Sequence, residues 1–112
     1  MEDKKVYKKY LPMTESTYYI LLSLTEERHG YSIMQHVDKI TNSRLKLGPG
    51  TLYGVLSKME KESVIKITRE EDKRKYYILN DLGKKLLFLE IERLKELYTN
   101  GIQYGGENYG CK

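Results

Sequence analysis

The chain has 112 residues, with 20 Lys+Arg against 16 Asp+Glu for a formal charge of +4, and 11 tyrosines beside one Phe and no Trp. This length builds one modest core, short for a catalytic domain with a buried cleft, and the 39% apolar and 32% charged residues exclude both a disordered and a membrane-embedded chain. No apolar run nears the roughly 18 residues that span a bilayer, the start Met1–Lys5 has no apolar leader, and the lone Cys111 leaves no internal disulfide, so a cytoplasmic protein without membrane contact is expected.

A charged, tyrosine-bearing lead (residues 1–12) comes first. Pro12-Met13-Thr14 then opens a first helix, with Thr14 able to cap its free N–H groups. Tyr18, Ile20, Leu21, Leu22 and Leu24 make that helix apolar nearly all round, as in a helix buried mid-domain. Glu26 to Gly30 breaks the pattern, with His29 expected to cap or pack at the helix end. A second helix from Tyr31 to Ile40 is predicted to bury Ile33, Val37 and Ile40. His36 is the one other histidine, too sparse a set for a metal site, and no cofactor is expected.

After the loop 41–47, Pro49 suits the first turn of a third helix because its missing N–H has no partner there. Leu52, Leu56 and Met59 give this helix an inner face, with Thr51, Gly54, Ser57, Lys58 and Lys61 opposite. The period then changes from about 3.6 to 2. Residues 64–69 and 75–79 alternate around the charged turn Glu70–Arg74, a β-hairpin that must lie on the helices to be stable. Asn80 caps a last helix from Asp81 to Tyr98. Its stripes Leu82, Leu86, Leu89 and Leu87, Ile91, Leu94, Tyr98 are wider than the roughly 100° a closing helix needs. The excess predicts a second chain over Leu86, Leu87, Leu89, Ile91, Leu94 and Tyr98. From 99 to 112 the Gly-rich composition reads as a flexible tail.

Three helices and a charged-tip hairpin follow the order of a winged helix-turn-helix, in which the third helix enters the DNA major groove and the wing meets backbone or minor groove. The fold class is therefore mainly α with a small β-hairpin: a DNA-binding domain over 1–79 and a dimerisation helix over 80–98. Residues 44–85 hold 11 Lys/Arg against 6 Asp/Glu, a local +5 that exceeds the charge of the whole chain.

The residues His29-Gly30-Tyr31, Gly48-Pro49-Gly50-Thr51-Leu52-Tyr53, Leu56 with Met59-Glu60, Arg74 with Tyr76-Tyr77 and Leu79, and Gly83 resemble the PadR family of bacterial transcriptional regulators from about Pro12 to Tyr98. That resemblance implies a homodimeric winged-helix repressor of double-stranded DNA, with C-terminal helices exchanging contacts across the dimer and a small molecule releasing the operator. The single short C-terminal helix is similar to the smaller subgroup, which includes multidrug-sensing and phenolic-acid-sensing members. Two positions depart from the family pattern. Ser63 stands where glycine commonly ends the third helix, costing about 1 kcal/mol if the turn is left-handed, and Asn80 replaces a capping threonine.

Candidate DNA contacts follow position by position. Thr51 and Tyr53 begin the third helix, where hydroxyls donate to phosphate, although Tyr53 also fits a packing role. Gly50 allows close backbone approach or is an ordinary turn glycine. Ser57 and Lys58 are candidates for base edges, with Lys61 and Arg44 beside them. Lys73, Arg74 and Lys75 fit the wing, where Arg74 could equally pair with a neighbouring acid. Tyr76 and Tyr77 face opposite sides, so at least one is core. Tyr7, Tyr10, Tyr18 and Tyr19 with Leu89, Ile91 and Arg93 could line a cleft for a flat aromatic or cationic effector, the alternative being a fully packed interface. Of the rival classes, an enzyme lacks its phosphate cradle or nucleophile constellation. A winged helix used for protein contact without DNA or ligand response is the remaining alternative, and it needs an apolar outer face that Ser57, Lys58 and Lys61 do not supply.

Overall fold

The computed structural model describes residues 2–106 and residue 109. In chain order it contains α1 (Glu2–Tyr10), α2 (Glu15–Ser23), β1 (Arg28–His29), α3 (Gly30–Ile40), α4 (Pro49–Lys61), β2 (Ile65–Glu71), β3 (Arg74–Leu79) and α5 (Asp81–Asn100). The three antiparallel strands lie in the order β1-β3-β2, and the fold is a winged helix-turn-helix with a long terminal helix. Among the described residues no helix is long and apolar enough to cross a membrane.

The lead is helical, which the sequence reading did not anticipate. Its residues run in pairs: Lys4-Lys5 exposed, Val6-Tyr7 half-buried, Lys8-Lys9 exposed, then Tyr10 buried and Leu11 half-buried, which lays one side of α1 on the domain. Tyr10 Oη donates to Glu62 Oε1 and Lys9 Nζ to Glu62 Oε2, both at 2.5 Å, so α1 is tied to the far end of α4.

α2 begins as expected, Thr14 Oγ1 accepting the Thr17 N–H at 3.1 Å. His29 does not serve α2 but is the N-cap of α3. β1 supplies a third strand, Arg28 opposite Tyr77 and His29 opposite Tyr76, too short to show any alternation in sequence. Ile40 is exposed rather than buried. The inner stripe of α3 runs Gly30, Ile33, Val37 and on to Thr41, whose hydroxyl turns inward and donates to the Val37 carbonyl at 2.7 Å.

α4 starts on Gly48 and Pro49 and buries Leu52, Leu56 and Met59, as predicted. It ends in a Schellman motif: Ser63 takes φ 61°, its N–H donates to the Glu60 carbonyl at 3.1 Å, and Val64 N–H reaches the Met59 carbonyl at 2.9 Å. In the wing the strands run further than the sequence reading placed them, leaving only Asp72 and Lys73 as the turn, at φ 51° and 65°. Two left-handed residues are the signature of the I′ hairpin, whose twist matches that of the strands. A bulge at Thr68 shifts the register, from Ile67 opposite Tyr77 to Arg69 opposite Tyr76.

Asn80 occupies the cap position of α5 without capping it. Its Nδ2 donates to the Ser63 carbonyl at 3.1 Å instead, so the two residues that depart from the family pattern bond to each other. A methyl group at Gly83 would overlap the Val64 carbonyl oxygen, which is why this turn of α5 carries no side chain. Leu86 and Leu87 are buried in the same core as Ile20, Leu21 and Leu24, so one core runs across residue 80 and those two leucines are not available to a partner. The chain also stays helical beyond 98. Gly101 holds a right-handed φ of −62° and ψ of −44°, and a π-helix continues over Gly101–Gly106, where the sequence reading placed a flexible tail. Of that tail, residues 107, 108 and 110–112 lie outside the described residues.

Because Ser63 pays the steric cost of a left-handed conformation, Ser63→Gly is expected to raise stability by about 1 kcal/mol. A rise in melting temperature of roughly 4 °C would show it by calorimetry.

Candidate nucleic-acid interface

α4 presents a surface made of small and basic groups. Gly50, Thr51, Gly54, Ser57, Lys58 and Lys61 are exposed along it, and Gly48 contributes no side-chain cap, so the first N–H groups of α4 remain open. Tyr53 leans to one flank, half exposed at 50%. A methyl group at Gly30 would strike its ring and hydroxyl, so the glycine that begins α3 makes room for this tyrosine. Beside them the wing closes a hollow of about 350 Å³ whose walls include His29, Gly30, Tyr53, Lys73, Arg74 and Lys75.

The predicted cations divide into two groups. Arg44 forms an ion pair with Glu15, and the Lys58 ammonium lies 5.3 Å from the Tyr10 ring centroid, on the α1 flank of α4. Lys61, Lys73 and Lys75 take part in no ion pair among the described residues, and Arg74 meets only the His29 ring, Nη1 to Nε2 at 3.4 Å. Two of the acids near the wing are held by Arg69, which pairs with Glu71 and with Glu27 (Nε to Oε1 at 3.3 Å) and stacks 3.7 Å from the Tyr76 centroid. Tyr77 is the buried member of the tyrosine pair; burial first, then Glu60 and Tyr53, raise its pKa. Burial, then Arg74 and Arg69, hold the His29 pKa below its ordinary value, so its ring is neutral at neutral pH. His36 is held elsewhere, its Nδ1 2.8 Å from Ser23 Oγ, so the two histidines do not converge.

The residues assigned to an effector cleft do not all meet. Tyr18, Tyr19 and Arg93 surround a hollow of about 290 Å³ with Met13, Glu90 and Leu94. Tyr10 lies elsewhere, buried against Glu62, with its pKa raised by burial and then by that carboxylate, and Tyr7 packs on the core without lining the hollow. Sequence reasoning missed Glu90, which is 2% exposed and held by Arg93 through two bonds of 2.8 and 2.7 Å. An acid inside an apolar stripe with an arginine three residues on was the available signal. Arg93 foremost, then a Met13 backbone bond, hold the Glu90 carboxyl below its ordinary range against the opposing effect of burial.

On α5 the exposed members of the apolar stripe are Phe88, Ile91 and Tyr98, with Leu94 partly covered beside them. Phe88 and Tyr98 are 60% and 67% exposed, Ile91 is exposed, and Leu89 and Leu94 are half-buried. Phe88 was absent from the predicted partner face, and it takes the outward place assigned there to Leu86 and Leu87.

A basic wing beside an open helix N-terminus, on a three-helix frame, defines a winged-helix DNA-binding transcriptional regulator rather than an enzyme. A family model described as the transcriptional regulator PadR-like family matches residues 20–88. The chain belongs to this PadR-like family. Uncharacterized protein X of Lysinibacillus sphaericus is 32% identical, the match covering 73% of this chain and 84% of that protein. The crystal structure of a PadR-like transcriptional regulator from Bacillus cereus is similar at a TM-score of 0.65 and 27% identity, over 76% of this chain and 85% of that one. A PadR-like transcription factor from Bacteroides fragilis gives 0.64 and 29%, over 76% and 84%.

Glu90 is stabilised as its charged form, so its contribution is present above the ordinary carboxyl value near 4.5 and is lost as pH falls through the lower folded-state value. Glu90→Gln is therefore expected to destabilise the protein at pH 7, where Arg93 loses its partner, and to flatten the fall in stability below about pH 4.5 in denaturant titrations.

Proposed function

We propose that this chain is a homodimeric repressor that binds a two-fold symmetric operator through α4 and the wing and is released by a small aromatic or cationic ligand. The observation that carries the DNA contacts is the hollow between α4 and the wing, where Tyr53 meets Lys73, Arg74 and Lys75 with no acid among its walls. Gly50, Gly54 and Ser57 leave the middle of the α4 surface low enough for close approach to a groove floor, and Lys61 stands on the same face. Thr51 and the open N–H groups of the first turn fit phosphate. Lys58 and Arg44 belong to the edge of the footprint, since each already has an intramolecular partner. An apolar protein partner would find little to bury on this face.

The uncovered stripe of α5 supports the dimer, with Phe88, Ile91, Leu94 and Tyr98 as its contacts and residues 80–98 as the dimerisation segment. The hollow around Tyr18, Tyr19 and Arg93 lies beside Leu94 on the same helix, so a ligand there would touch the dimer contact. Edge-to-face packing of Tyr18 and Tyr19, centroids 5.4 Å apart, gives it an aromatic wall suited to a flat guest.

Selection of bound duplexes from random DNA tests the reading: a symmetric motif with half-sites about one helical turn apart supports it, and no enrichment removes it. On the selected site Lys73→Ala is expected to weaken binding and lower the slope of log K against log salt by about one, whereas Lys58→Ala leaves the slope nearly unchanged. Phe88→Glu is expected to convert the dimer into a folded monomer. Sedimentation at micromolar concentration would show the mass halved with the helical spectrum retained.

A further inference from the structure

The two ring nitrogens of His29 face different partners. Nδ1 accepts the Ser32 backbone N–H at 3.2 Å, while the His29 backbone N–H donates to Ser32 Oγ at 3.1 Å, closing the capping box of α3. A backbone amide can only donate, so Nδ1 carries no hydrogen and the neutral ring bears its hydrogen on Nε2. That Nε2 lies 3.4 Å from Arg74 Nη1. A guanidinium also offers only donors. The two groups therefore meet N–H to N–H and cannot bond to each other.

The His29 ring is not free to turn away cheaply. The His29 ring stands edge-on to Tyr76 at 90° with centroids 5.1 Å apart, and its other nitrogen is committed to the cap. Glu27 and Glu71 are occupied by Arg69, and Arg74 has no acidic partner among the described residues, although Glu70 and Asp72 lie in the wing beside it. Lys73 and Lys75 from the wing and Tyr53 from α4 complete the surroundings.

We infer that His29 Nε2 and Arg74 Nη1 form one oxyanion site that takes a backbone phosphate of bound DNA, an assignment that rests on the DNA-binding reading above. Two donors this far apart both reach a single oxygen placed at hydrogen-bond distance from each, and a phosphate oxygen is an acceptor only and anionic. The missing third partner resolves the donor conflict, and the cap of α3 selects the tautomer that makes the ring a donor towards the wing. His29 thereby couples the start of α3 to the wing through the ligand.

His29→Asn separates the two roles, because asparagine caps a helix well but offers no ring N–H towards Arg74. Wild type, His29→Asn, Arg74→Ala and the double variant are titrated with a duplex selected from random DNA and, separately, with inorganic phosphate, while long-range 1H–15N spectra follow the imidazole. The expected result is an Nε2–H tautomer in the free protein and His29 resonances that move with phosphate in the wild type but not in Arg74→Ala. His29→Asn keeps the melting temperature and weakens duplex binding about tenfold. The double variant binds little worse than Arg74→Ala alone, since one oxygen serves both donors. An Nδ1–H tautomer, or wild-type duplex affinity in His29→Asn, overturns the inference. A wild type that answers phosphate but binds no duplex overturns the DNA reading instead and leaves a site for a free oxyanion.

Discussion

The geometry of the whole molecule depends on how the chain leaves α4 at Ser63 and Val64. Ser63 turns left-handed, and Val64 N–H closes back on the Met59 carbonyl. The Val64 carbonyl then accepts the Asn80 N–H at 3.0 Å, while Asn80 Nδ2 holds the Ser63 carbonyl. Gly83 lets the first turn of α5 settle directly on that Val64 oxygen. Within a few residues the end of α4, the start of the wing and the start of α5 are locked together. The angle between the DNA-facing helix and the wing and the direction in which α5 leaves the domain are thus set at one place. A second tie, Leu79 N–H to the Leu24 carbonyl at 3.0 Å, joins the end of the wing to the end of α2.

Charge is managed in the same economical way. The net +4 says little alone, because acids are assigned to particular bases: Glu15 to Arg44, Glu62 to Lys9, Glu27 and Glu71 to Arg69, Glu90 to Arg93. The exposed pairs contribute little stability each. Their larger effect is to leave Lys73, Lys75 and Arg74 around one hollow, and Lys61 on α4, without acidic partners among the described residues, so that the positive potential gathers between α4 and the wing.

Much of the frame was legible in sequence. Repeating patterns and end signals exposed α2, α3, α4, the hairpin and α5, because each carries a buried face of fixed period and a capping or turn residue at its boundary. α1 escaped because its apolar residues come in pairs among lysines, and its support is a tertiary bond from Tyr10 to Glu62. β1 escaped because two residues have no period. Leu86 and Leu87 were assigned to a partner and proved to be core, while Phe88, the outward residue beside them, was overlooked: a wide apolar stripe does not say which edge meets its own domain.

The tyrosines show the same division. The family resemblance separated those of the winged-helix pattern from those near the lead and α2, and strand alternation required at least one of Tyr76 and Tyr77 to be buried. Only the folded chain chose Tyr77, drew Tyr10 away from Tyr18 and Tyr19 to the end of α4, and laid Tyr53 over Gly30. The sequence by itself determined the order of α2 to α5 with the hairpin and the face of α4 that stays polar, since these follow from short-range periodicity and local caps, and its motifs carried the resemblance to the family. The tertiary structure alone decided that Arg44 meets Glu15 and Lys9 meets Glu62, which leucines are core and that the His29 ring faces Arg74. Each of those depends on groups tens of residues apart, and no local pattern encodes their meeting.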